Sequence, residues 1–185
     1  MSKILGICGS LRAKSFNLAA LKVAAEVMPA GMTLEITSIA DLPLFNGDVL
    51  DAGAPAAAVK FRDAILAADG ILIACPEYNW TIPGTLKNSI DWVSKMTPQP
   101  YAGKPVAILS ATAGPLGGAR AQYDLRKSLS CIDAMLLGKP EVFIGMAQTK
   151  FDADGKLTDE ATRKILAAQM AAFEAWIGKV KKALV

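Results

Sequence analysis

Short apolar runs alternate with stretches of helical periodicity from end to end of this 185-residue chain, and that alternation restricts its fold more than any other feature. The runs at residues 4–8, 33–37, 70–75, 106–110 and 142–144 have the length and content of strands. Between them, Leu18, Leu21, Ala25 and Met28 step by three and four. Ala58, Phe61, Ile65 and Ala68 repeat the step behind Pro55, which suits a first helical position. Leu86, Ile90 and Val93 mark a third helix, and a less regular fourth runs from about Ala119 through Leu125, Leu129 and Ile132. The last helix has the clearest stripe, formed by Leu166, Met170, Phe173, Ile177, Val180 and Leu184. Thr158 is its expected N-cap, Asp159 and Glu160 fill its first turn, and Lys179, Lys181 and Lys182 collect near its carboxyl end. Strands alternating with helices predict βαβ units, hence a parallel sheet covered on both faces. A single doubly wound α/β domain over residues 1–185, with five strands, follows from the count.

The composition narrows the function. Apolar residues make up 52% and charged residues 20%, the balance of a globular chain. A net charge of +3, evenly spread, gives no basic stripe for nucleic acid but suits an anionic small molecule. The apolar run near Met1 is too short for a signal-peptide core, and the uncharged stretch 105–119 is broken by Pro115 and three glycines. No membrane association is expected, and the cytoplasm is the expected location. Three cysteines without CxxC pairing fit a reducing compartment. Cys8 and Cys75 end apolar runs and read as small buried hydrophobes. The chain has no histidine, which removes Ser-His-Asp and Cys-His catalysis and histidine metal sites. Chemistry must rest on carboxylates, lysine, backbone dipoles or a bound cofactor, and no metal is expected.

Ligands of open parallel sheets bind beyond the carboxyl ends of the strands, where strand order reverses. Three connections at such ends have unusual content: "GSLRAKSFN" from Gly9, "PEYNWTIPG" from Pro76 and "SATAGPLGG" from Ser110. The first offers Ser10 and Ser15 hydroxyls, the Asn17 amide and the Arg12 fork at a helix start, a set suited to a phosphate monoester. A plain N-cap at Ser15 or Asn17 needs only one of these residues. In the second, Pro76 and Pro83 stiffen the backbone, and Tyr78 and Trp80 offer walls for a flat heteroaromatic ligand. Core burial or a subunit contact is an equal reading for Trp80. In the third, Gly114, Gly117 and Gly118 allow either close approach of a planar ligand or a flexible turn.

Together, "GSLRAKSFN", "PEYNWTIPGTLKNSIDW" and "SATAGPLGGARAQYDLR" resemble the NADPH-dependent FMN reductase family, in order and at similar intervals from Lys3 to about Gly145. The resemblance implies a flavodoxin-like sheet of strand order 2-1-3-4-5 with FMN at the switch point. It places Ser10, Arg12, Ser15 and Asn17 on the FMN phosphate, with Phe16 and Leu18 around it. Pro76, Glu77, Tyr78 and Asn79 would border the isoalloxazine, and Ser110, Gly114, Gly117 and Gly118 its other side. It further implies a homodimer or homotetramer, with Arg120, Tyr123 and Glu141 in a subunit contact or, for Arg120, at an NAD(P)H phosphate. The implied activity is hydride transfer from NAD(P)H to bound FMN, then ping-pong reduction of quinones, free flavins, chromate or ferric complexes. A flavodoxin-type electron carrier that does not oxidise NAD(P)H is the alternative. In either case the cofactor carries the chemistry and no catalytic side chain is assigned.

Overall fold

The computed structural model describes residues 1–183. Leu184, last in the predicted stripe, lies outside them. The elements are β1 (Ser2–Cys8), α1 (Phe16–Glu26), β2 (Met32–Thr37), α2 (Gly47–Ala52), α3 (Ala56–Ala67), β3 (Gly70–Ala74), α4 (Gly84–Ser94), β4 (Pro105–Ala111), α5 (Ala119–Ser130), β5 (Met135–Leu136), β6 (Val142–Ile144) and α6 (Glu160–Ala183), with one 3-10 turn at Ala147–Thr149. The strands pair in parallel in the order β2-β1-β3-β4-β5, the flavodoxin-like arrangement, and β6 also pairs with β4. Order reverses between β1 and β3, which opens a crevice beyond Cys8 and Ala74.

The central strands read as unbroken apolar runs because helices cover both faces. Alternate residues divide between two cores, as the period of a strand requires. Ile4, Leu72, Ala74, Ala107 and Leu109 belong to the core shared with α1 and α6. Leu5, Ile7, Ile71, Ile73 and Ile108 belong to the one shared with α3, α4 and α5. On the first face small strand residues meet Ala19, Ala20 and Ala24 of α1, which permits close approach of helix to sheet. On the second, Leu86, Trp92 and Val93 seat α4, each fully buried, and each such side chain contributes roughly 1.5–3 kcal/mol. Trp92 also donates its indole N–H to Pro43 O at 2.7 Å.

Four local expectations are corrected. The fifth sheet position is two short strands: β5 pairs with Pro105 and Val106, β6 with Leu109 to Ala111. Pro140 lies between them and has no N–H for a ladder. Side-chain amides bridge the break instead: Gln169 Nε2 donates to Ile108 O at 2.9 Å and Pro140 O at 3.1 Å, and Gln122 Nε2 to Val142 O at 2.8 Å. A sixth helix, α2, buries none of its residues and so carries no apolar stripe to read. In α1, Ala25 is exposed while Ala20, Leu21 and Ala24 are buried, because alanine marks no face by itself. Finally, Asp159 caps α6, accepting from Thr162 N at 2.8 Å, while the Thr158 hydroxyl donates to Lys150 O. Among the described residues no helix is long and apolar enough to cross a membrane.

Candidate cofactor and substrate site

Because β1, β3 and β4 are neighbours, the three unusual connections leave one edge of the sheet and are stitched together there. Gly9 N donates to Ala74 O at 2.9 Å, and Thr85 Oγ1 to Gly9 O at 3.2 Å. The Tyr78 hydroxyl donates to Ser10 Oγ at 3.3 Å. A Cβ on Gly9 would lie 2.9 Å from Pro76 Cδ, so the contact between first and second loops depends on that glycine.

In the first loop, Ser15 is the N-cap of α1 and its Oγ accepts from Asn17 N at 3.2 Å. The first intrahelical bond runs from Ala19 N to Ser15 O, so the N–H groups of Phe16 and Leu18 precede it and carry the positive end of the helix dipole. Ser10 and Ser15 are largely buried, whereas Arg12 and Lys14 are exposed. Arg12 forms no ion pair among the described residues. Asn17 differs from the anion-holding role expected of its amide. Its Nδ2 donates to Ala111 O at 2.8 Å and its Oδ1 accepts from Ala111 N at 3.0 Å, so the side chain is a buried strut between α1 and β4. Asn17→Ala is expected to destabilise the apoprotein by about 1–3 kcal/mol by stranding the Ala111 backbone groups. The urea midpoint measures this, and an unshifted midpoint would show the strut to be dispensable.

The second loop is a tight hairpin. Tyr78 N donates to Thr81 O at 3.2 Å and Thr81 N to Tyr78 O at 3.1 Å. Asn79 (φ 49°) and Trp80 (φ 69°) stand between them, both left-handed as a two-residue hairpin requires. Pro76 is buried beneath the hairpin; Tyr78, Asn79 and Trp80 are exposed. Trp80 is therefore not a core residue. The Glu77 carboxylate accepts from Arg120 N at 3.1 Å, Ala121 N at 3.3 Å and Arg120 Nη1 at 2.7 Å. Gly118 has no side chain to cap α5, so Glu77 caps it from another loop. The Arg120 guanidinium lies 4.6 Å over the Trp80 ring. Arg120 thus belongs with Glu77 and Trp80. Tyr123 and Glu141 form a separate group, with the Tyr123 hydroxyl donating to Glu141 Oε2 at 3.4 Å and Arg126 Nη2 at 3.8 Å from Oε1. The hydrogen bond to Glu141 holds the Tyr123 pKa above its usual value.

The third loop turns inward. Ser110 is fully buried, donates to Gly117 O at 2.5 Å and accepts from Gln122 Nε2 at 2.7 Å. Gly117 (φ 61°) and Gly118 (φ 89°) are buried as well. A Cβ on Gly117 would lie 2.6 Å from Phe143 C, and one on Gly118 2.8 Å from Ser110 Cβ. What approaches these two glycines is the protein's own chain. Gly114 is exposed, and a Cβ there would meet no other part of the chain within 4 Å. The loop is docked on β6 by Thr112 N to Ile144 O at 3.0 Å and Met146 N to Gly114 O at 3.1 Å.

Two thiols lie under this edge, and burial disfavours the thiolate of each. Burial, reinforced by the Glu77 and Asp124 carboxylates, pushes Cys75 up to about 12. Burial also raises Cys8, against hydrogen bonds from Ser10 and Ser15. The edge thus presents a helix amino terminus, an uncommitted guanidinium, a rigid aromatic hairpin and one open glycine.

The family profile described as NADPH-dependent FMN reductase matches residues 2–149. The chain belongs to that family. An NAD(P)H-dependent FMN reductase of Pseudomonas aeruginosa is 48% identical over 179 residues, covering 97% of each chain. A quinone reductase of Escherichia coli K12 is 42% identical over 182 residues, again covering 97% of each. Among solved structures, the NAD(P)H:(acceptor) oxidoreductase FerB of Paracoccus denitrificans superposes with a TM-score of 0.88 at 34% identity, over 97% of this chain and 98% of that one.

The residues at this edge fit FMN: the amino end of α1 and the exposed Arg12 suit a phosphate, and the exposed hairpin and Gly114 suit a flat ring system. Gln122, Thr85 and Gly145 are framing residues that sequence reasoning missed. Gln122 reads as an ordinary helix residue until β4 and β6 are placed around it. Gly145 shows its need only against Pro115, whose carbonyl oxygen would lie 2.3 Å from a Cβ there.

Proposed function

We propose that this protein is an NAD(P)H-dependent, FMN-containing oxidoreductase that reduces quinones and other small acceptors. Arg12 carries the reading: it is exposed beside the amino end of α1 and, among the described residues, forms no ion pair, in a chain of this family. Bound FMN supplies the redox chemistry, accepting hydride from NAD(P)H and passing two electrons to an acceptor. Arg12, Ser10, Ser15 and the N–H groups of Phe16 and Leu18 hold its phosphate. The backbone of Glu77, Tyr78 and Asn79 borders one side of the ring system and Gly114 the other. Pro76, Asn17, Ser110, Gly117 and Gly118 serve as the frame. With no histidine in the chain, backbone N–H groups would bear negative charge developing on the bound ring system.

One open pocket serving NAD(P)H and acceptor in turn implies ping-pong kinetics, with quinones, free flavins, chromate and ferric complexes as acceptors. A homodimer or homotetramer is supported by exposed Leu116, Tyr123 and Met146 along the same edge. Three free cysteines favour the reducing cytoplasm. The purified protein should show a flavin visible spectrum that NADH or NADPH bleaches anaerobically and a benzoquinone restores. A colourless protein that takes up no FMN would overturn the reading, and a yellow one bleached by neither nucleotide would make it a carrier.

A further inference from the structure

Trp80 has a placement that holding FMN does not account for. Its backbone sits at φ 69°, where a bulky L residue is strained. It is 71% exposed, whereas Trp92 is fully buried. Yet it is firmly held. The reciprocal Tyr78–Thr81 bonds close the turn, Thr81 Oγ1 donates to Asp124 Oδ2 at 2.7 Å, and Arg120, fixed by Glu77, covers one ring face. A ring covered on one side and still 71% exposed turns its other face to solvent.

The turn accounts for the backbone setting but not for a tryptophan in it, and a held, exposed aromatic in one of the loops at this edge suits a flat ligand. We propose that Trp80 is the acceptor platform of this site, a specificity-determining residue whose open face receives the flat, electron-poor ring of a quinone. The inference rests on the quinone-reductase reading above. Indole has an electron-rich face and a quinone an electron-poor one, so offset stacking is favourable. Because Arg120 and the hairpin fix the ring in advance, binding costs little side-chain entropy. Non-aromatic acceptors gain nothing from such a platform, which gives the test its contrast.

The experiment compares FMN-loaded wild type, Trp80→Phe and Trp80→Ala with a soluble benzoquinone and with ferricyanide. In Trp80→Ala the quinone-to-ferricyanide ratio of kcat/KM should fall roughly two- to twelvefold, mainly through the quinone KM. Trp80→Phe should recover most of it. Saturable quenching of tryptophan emission by the quinone should be clear in wild type and much smaller in Trp80→Phe, in which Trp92 and Trp176 still emit. Equal losses with both acceptors, or a drop in the sedimenting mass of Trp80→Ala, would make Trp80 a structural or subunit-contact residue and overturn the inference. An unchanged ratio in a variant that still reduces quinone would overturn the platform alone. A wild type that reduces no quinone with either nucleotide would overturn the functional reading and this inference together.

Discussion

Gly117→Ala should lower the stability of the apoprotein by about 3 kcal/mol, the sum of roughly 1–2 for a left-handed L residue and 1–3 for overpacking. Its Cβ would meet Phe143 C at 2.6 Å, Gly145 N at 2.8 Å and Ile144 N at 2.9 Å. All three are backbone atoms, so no side chain can rotate away. Relief requires moving the third loop off β6, which would break the bonds from Thr112 and Met146. For a chain of this size the loss corresponds to a melting temperature lower by about 6–12 °C. Gly114→Ala is the paired control. It lies three residues away, where an added Cβ would meet no other part of the chain within 4 Å, and should shift stability by less than about 0.5 kcal/mol. Equal melting temperatures for the two variants would refute the assignment of Gly117 as the tight contact.

Arg12→Ala should raise the Kd for FMN roughly 10- to 100-fold, the effect of removing a charge-assisted bond to a phosphate. The fold itself should keep its melting temperature, because Arg12 is exposed and, among the described residues, bonds only through its own N–H to Ser10 Oγ. Salt tests the same assignment, since screening weakens an exposed ion pair and should shrink the gap between variant and wild type. Arg12→Lys should fall between them, retaining charge but not the two-pronged geometry. Fluorescence titration of the apoprotein with FMN measures all three. An unaltered Kd in Arg12→Ala would place the phosphate elsewhere.

Much of the architecture is legible in the residues themselves. β1, β3 and β4 are buried on both faces, so Ile4 to Cys8, Gly70 to Ala74 and Val106 to Ser110 show as bare apolar runs. The three unusual loops stand out for the same reason in reverse, being polar, glycine-rich or aromatic where ordinary turns suffice. Elements without a buried stripe leave no such trace. Helix α2 buries nothing, and β5 is two residues long. Within the site, the residue types were readable but their directions were not. Asn17 and Ser110 carry groups fit for a ligand, and only their partners in the fold, Ala111 and Gly117, reveal that these groups face inward. Glycine is equally mute, since Gly114 and Gly117 are identical letters with opposite surroundings.

The Glu77 carboxylate fastens the hairpin after β3 to the beginning of α5, so the two sides of the crevice cannot part independently. One carboxylate thereby ties the setting of the aromatic hairpin to the setting of α5. A substitution that releases either end should be felt at both walls at once, so the acceptor side and the helix side are tuned together.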